Sequence, residues 1–236
     1  MTLNRNFILG ASFIIGMAAA TLLAGNSLRA LKRMDEFVTV KGLSEREMPA
    51  DLAIWPMIFT VAEDDLSRLQ EQIQGARNTV HQFLTESGFE PGEISNSPPQ
   101  ITDTWAALEG AESPKRAARY RASVTVLLRS SKVRAVKASM ETCDKLVKQG
   151  IALSGNEYSG KAQFLFTGLN QVKPDMIQEA NRNGRLAAEK FAADSNSRIG
   201  SIRHAVQGPF EINDVDPSSP DRKIVRVVTT VDFYLQ

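Results

Sequence analysis

One stretch near the start of the chain limits everything that follows. From Phe7 to Ala24, 18 residues run without a charge, FILGASFIIGMAAATLLA. A hydrocarbon core about 30 Å thick needs roughly 17–25 apolar residues of helix, so this run reaches the lower limit for a span. Two readings stand: an uncleaved anchor, and a secretory signal removed after export. Cleavage favours small residues at the last and third-last positions before the cut. A cut after Ala24 puts Leu22 third-last, which fits poorly. A cut after Ala20 puts Ala18 there, which fits, but leaves apolar residues on the new end. The retained anchor is the better reading. Within it Ser12, Gly16, Ala20 and Ala24 recur every fourth residue and form one small-residue face for a second membrane helix. Arg5 precedes the run, and Arg29, Lys32 and Arg33 follow it. By charge alone that places the C-terminal part on the cytoplasmic side, by a margin of one or two charges.

Residues 1–25 are therefore expected to be the anchor or signal segment, 26–36 a linker, and 37–236 a soluble domain. Lys and Arg total 28 against 27 Asp and Glu, a net charge of +1, which argues against a dedicated nucleic-acid binder. Cys143 is the only cysteine, which excludes an intrachain disulfide and every multi-cysteine metal site.

Hydrophobic periodicity supplies the elements. FVTVK at 37–41, closed by Gly42, reads as a short strand, and Glu45, Arg46 and Glu47 as a solvated turn. Asp51–Val61 reads as a second strand whose Pro56 marks a sheet edge or a bulge. Leu66, Leu69, Ile73, Ala76, Val80 and Phe83 define a helix over 65–87, capped by Asp64 and stopped by Gly88. A strand follows at 101–107. Tyr120–Arg129 alternates as a half-solvated strand. Helix two is expected over 132–149, with the stripe Val133, Val136, Met140, Cys143 and Val147. After a short strand at 163–167, Lys173-Pro174 opens helix three, whose inward residues are Ile177, Ala180, Gly184, Ala187, Ala188 and Phe191. Residues 200–223 carry Gly208-Pro209, Pro217 and Pro220 around weak strand signals, and 224–235 is a clear final strand. This order predicts an α+β fold, a mixed but mostly antiparallel sheet packed against long helices.

Chemistry-bearing patterns are sparse. There is no Gly-rich phosphate loop after a strand, no G-x-S-x-G elbow and no H-E-x-x-H. His81 reads as a solvated helical residue, and His204 has no companion ligand. Cys143 falls on an apolar stripe and reads as a small buried hydrophobe. Glu63, Asp64 and Asp65 read as helix N-terminal charges. No catalytic residue, cofactor or metal site is expected. Arg119, Arg121 and Arg129 can line up on one strand face, which suits an anionic ligand or lipid.

The block VTVKGLSEREMPADLAIWP resembles the opening of the SIMPL-domain family, through Val38, Val40, Gly42, Glu45, Ala50 and Asp51. The resemblance continues through the helix before Gly88-Phe89, YRASVTVLLRS, EANRNGRLAAEKFA and VVTTVDFYL, and covers 37–235. Pro49-Ala50-Asp51 departs from the commoner direct Pro-Asp pair, which is expected to change the turn and leave the fold intact. The family includes periplasmic proteins linked to oxidative-stress defence and immunogenic envelope proteins, and some members form large rings or channel-like oligomers. The resemblance thus implies an inner-membrane protein with its soluble domain in the periplasm, and outweighs the flanking-charge count. Release to the periplasm after signal cleavage is the alternative. The leading functional expectation is a non-enzymatic, membrane-tethered homo-oligomer of the envelope with a structural or stress-defence role. The alternatives are an anionic small-ligand or lipid-binding module, and a peroxide-handling enzyme using Cys143.

Overall fold

A computed structural model describes residues 16–17, 36–106, 118–154 and 160–236. The run Phe7–Ala24, with Ser12, Ala20 and Ala24, lies outside them except for Gly16 and Met17, which are helical and exposed. Among the described residues no helix is long and apolar enough to cross a membrane. The class is mixed α and β with antiparallel sheets, as the sequence predicts.

The chain forms two compact units, 1–46 with 171–211 and 225–236, and 47–170 with 212–224. The second unit holds β2 (Leu52–Glu63), α1 (Leu66–Glu86), β3 (Ile94–Asn96), β4 (Gln100–Asp103), β5 (Tyr120–Ser130), α2 (Val133–Glu141), α3 (Asp144–Lys148) and β6 (Gln163–Leu165). β2 and β5 pair antiparallel without a break from Ala53↔Ser130 to Glu63↔Tyr120. β3 and β4 add to β5, and β6 adds to β2. Ala53, Trp55, Met57 and Phe59 point to one side of β2, and Ala122, Val124, Val126 and Leu128 to one side of β5. Onto this face α1 lays Leu69, Ile73, Val80, Phe83 and Leu84, forming one core.

The unbroken register rules out a bulge at Pro56. Among the described residues β6 pairs with 52–54 and Leu153 bridges Phe59, so no described strand pairs with Pro56 on that side and its missing N–H leaves no described ladder bond unmade. Asp65, rather than Asp64, caps α1, accepting from the Ser67 and Arg68 amides at 2.9 and 3.0 Å. The predicted helix over 132–149 is two helices, interrupted at Thr142–Cys143. The break turns Leu146 into the core and leaves Val147 61% exposed, against the continuous stripe.

The first unit is built on the three-stranded sheet β1-β8-β7, with β1 Phe37–Pro49, β7 Ile199–Asp214 and β8 Arg222–Leu235. These strands run past the unit boundaries. Leu235 N donates to Glu36 O, and Arg198 and Gln236 exchange both backbone bonds, so β8 is antiparallel to both neighbours. Helix α4, Leu169–Asp194, begins before the expected Lys173-Pro174 and carries Pro174 inside. Its buried residues, Met176, Ala180, Gly184, Ala188 and Ala192, repeat every four positions. Ala187 and Phe191 are exposed, contrary to the broader stripe read from sequence.

β1 is longer than the expected FVTVK. Gly42 does not end it, and Glu45, Arg46 and Glu47 are strand residues, not a turn. Val38, Val40, Gly42, Ser44 and Arg46 alternate onto the side that meets α4. A Cβ on Gly42 would overlap the Ala180 carbonyl oxygen and lie 2.6 Å from the Gly184 amide nitrogen. Glycine here lets strand and helix backbones touch, and Val38, Ala188, Val231 and Phe233 form the core beside that contact.

Candidate functional site

The stretch read as weakly structured, 200–223, contains most of a long and largely exposed strand, β7. β7 is 16 residues long and no residue in it is fully buried. β8 pairs with one edge, and the other edge has no strand among the described residues. Ile202 is 57% exposed and Val206 51%. A strand edge of this kind presents unpaired N–H and C=O groups in a row, a template for another chain.

The edge is not uniform. The Arg198–Gln236 pair and the Val215 N to Arg222 O bond bracket 17 steps along β7 against 14 along β8. β7 therefore bulges, and Gly208-Pro209 lies inside the bulged stretch. Proline lacks a donor, so the proline-free part of the edge is 199–207. Its charged residues are mixed: Arg203 stacks its guanidinium 4.1 Å from the Phe37 ring centroid, and Glu211 follows beyond the proline.

The face of this sheet toward α4 carries the polar cluster of the first unit. Arg46 Nη2 and Ser44 Oγ both donate to Glu179 Oε2, at 2.9 and 3.0 Å. The Arg46 guanidinium, then the Ser44 hydroxyl, hold the Glu179 carboxyl below its ordinary range. Asn183 Nδ2 donates to the Leu43 carbonyl at 2.8 Å. These bonds fix β1 against α4 just beyond the Gly42 contact.

The arginines expected as one anion-binding stripe are divided. Arg119 precedes β5 and donates from Nε and Nη2 to Asp103 Oδ2 at 3.1 and 3.0 Å. Its guanidinium also lies over the Tyr120 and Trp105 rings, 4.9 and 5.7 Å from their centroids. The bond from Arg119 lowers the Asp103 carboxyl pKa, and Asp103 raises that of Arg119. Arg121 and Arg129 are exposed but eight positions apart on β5, roughly 27 Å at about 3.4 Å per residue. One small ligand does not reach all three.

The acidic run separates by role. Asp64 accepts the Arg119 backbone amide at 2.9 Å, Asp65 caps α1, and Glu63 bonds Gln72. His81 is half-buried and hydrogen-bonds Asn96 Oδ1 at 3.0 Å, so it is less solvated than its helical position suggests. His204 is exposed on β7. Cys143 is half-buried beside the core of the second unit, lining a small cavity of about 250 Å³ with Trp55, Met57 and Met140. Among the described residues no group of three His, Cys, Asp or Glu side chains is placed to hold a metal.

The sequence signals β7 only weakly because its apolar residues are interleaved with Gly200, Gly208 and Pro209, which dilute the alternation. The available signal was Ile199, Ile202, Val206, Phe210 and Ile212, spaced along a stretch too long for a turn.

A search among curated proteins found no match. A family model described as SIMPL, a protein of unknown function (DUF541), matches residues 38–229. That span takes in β1 with its Val38, Val40 and Gly42, the whole second unit, α4, β7 and most of β8. The chain belongs to the SIMPL family.

Proposed function

We propose that this protein is a non-enzymatic, membrane-tethered component of the cell envelope, working as a homo-oligomer with its β-rich domain in the periplasm and a structural or stress-defence role. The free edge of β7 is the observation that carries this reading. Over 199–207 it offers backbone donors and acceptors beside exposed Ile202 and Val206. Backbone pairing needs little sequence specificity and suits a second copy of the same chain. A net charge of +1 leaves copies without strong mutual repulsion. The run Phe7–Ala24 supplies the tether, and its Ser12, Gly16, Ala20 and Ala24 face adds helix pairing within the bilayer.

Two sets of variants separate these contributions. Ser201→Lys with Val206→Lys places cations along the free edge, the common natural means of blocking strand addition. Gly16→Leu with Ala20→Leu fills the small-residue membrane face. The edge variant is expected to reduce the particle mass in mild detergent, and the membrane variant to weaken it further. An edge variant that keeps the wild-type mass while its far-ultraviolet dichroism is unchanged would remove β7 from the assembly.

A further inference from the structure

One helix is too narrow for this sheet. An α-helix with side chains is about 10–12 Å across, and three strands at about 4.8 Å each occupy roughly 14 Å. α4 spends its contact on β1, where Gly42 meets Ala180 and Gly184. The α4-facing side of β7 is left uncovered, and a groove of about 810 Å³ opens there. Its floor is apolar: exposed Ile202 and Ala205 from β7, bordered by the almost wholly buried Val231 and Phe233 of β8. Its wall is the polar flank of α4.

The wall charges are unequally engaged. Glu179 is neutralised by Arg46 and Ser44. Arg185 bonds Glu189 along the helix at 3.0 Å. Arg182 lines the groove one turn beyond Gln178; among the described residues it makes no hydrogen bond or ion pair, though its charge also acts on the Glu179 carboxylate three residues back. Asp175 lines the groove two turns away from Arg182, about 10 Å along the helix axis. The Arg182 end of the groove is therefore cationic and the floor beside it apolar. Ligand sites commonly have this composition and a volume of about 300–1,000 Å³.

We propose that this groove binds a single-chain amphipathic anion, with its carboxylate or phosphate at Arg182 and its acyl chain along Ile202, Ala205, Val231 and Phe233. The site is separate from the β5 arginines. It lies on a face of the sheet beside the strand edge proposed for assembly and shares Ile202 with it, but it needs no backbone pairing at that edge and so does not depend on that proposal. A free fatty acid and a lysophospholipid share the chemistry.

The test is photolabelling of the full-length protein held in amphipol, with a diazirine-bearing decanoate, followed by peptide mapping. Label is expected in peptides covering 175–185 and 199–206. Unlabelled decanoate or lysophosphatidylglycerol should compete, and the one effective at lower concentration identifies the source. Decanol should compete at least tenfold less well. Arg182→Glu should cut labelling of these peptides at least tenfold, and Ala205→Phe, which fills the floor, should remove it. Light scattering on both variants shows whether assembly is intact, so a lost groove is distinguished from a lost oligomer. Label confined to Phe7–Ala24, equal competition by decanol, or labelling indifferent to both substitutions would overturn the assignment.

Discussion

Gly42→Ala and Gly184→Ala look equivalent in sequence, since each adds one methyl at the same strand–helix contact. Their surroundings make them opposite. A methyl on Gly42 meets backbone: it would overlap the Ala180 carbonyl oxygen and come within 2.6 Å of Gly184 N and 2.9 Å of the Ala180 carbonyl carbon. No side-chain rotation relieves that, so α4 must move off β1. Overpacking costs about 1–3 kcal/mol, and a backbone clash belongs at the upper end. Removing glycine's unfolded-state freedom returns roughly 0.4–1 kcal/mol. The net expectation is a loss of about 2–2.5 kcal/mol. A methyl on Gly184 instead lies 3.4 Å from Gly42 Cα and N, an ordinary contact. There alanine gains about 0.8–1 kcal/mol of helix propensity, so the net change stays within about 1 kcal/mol. With two compact units a single global unfolding energy is not well defined. Native-state hydrogen exchange on peptides from β1 and α4 is the suitable assay. Gly42→Ala should speed exchange there by about 30- to 60-fold and leave the β2–β5 peptides unchanged. Gly184→Ala should change it by less than about fivefold. Equal effects, or a larger effect at Gly184, would refute the close-approach explanation.

Other consequences follow from individual contacts. Because Arg46 and Ser44 hold the folded Glu179 pKa below its unfolded value, the pair's stabilisation is present above the ordinary glutamate range and lost as pH falls through the lowered value. Thermal melts of wild type and Glu179→Gln should therefore differ at neutral pH and converge in acid; a gap that widens on acidification would contradict the sign. Asp51 accepts the Thr167 amide at 2.8 Å and the Gly168 amide at 3.0 Å. Asp51→Ala should cost about 1.5 kcal/mol locally, read as faster exchange over 163–170, with Asp51→Asn recovering part of the loss. Arg119 is held by Asp103, Tyr120 and Trp105. Reversing its charge should loosen the β4–β5 end in hydrogen exchange, while reversal at exposed Arg121 or Arg129 should leave exchange unchanged.

The long apolar periodicities were legible in sequence because burial enforces them. α1, β2 and β5 each present one face to the same core, and their alternations read directly as Leu69-Ile73-Val80, Trp55-Met57-Phe59 and Val124-Val126-Leu128. The inward positions Ala180, Gly184 and Ala188 of α4 also read correctly. What they pack against did not. Gly42 resembles a strand terminator in one dimension, and its use as an opening for α4 exists only once the two elements meet. Helix two was read as continuous because the break at Thr142–Cys143 contains neither proline nor glycine; tertiary burial of Leu146 overrides the local stripe. The arginine stripe failed for a related reason. Alternation put Arg119, Arg121 and Arg129 on one face, but could not show that Asp103 and two rings engage the first. The groove drew on four elements distant in sequence, so no local pattern announced it.

Self-association is the central claim, and mass tests it most directly. Full-length protein in mild detergent should be measured by size exclusion with light scattering, correcting for bound detergent. A discrete particle many times the 25.9 kDa chain mass is the predicted result. A monomer at every concentration tested would contradict the account.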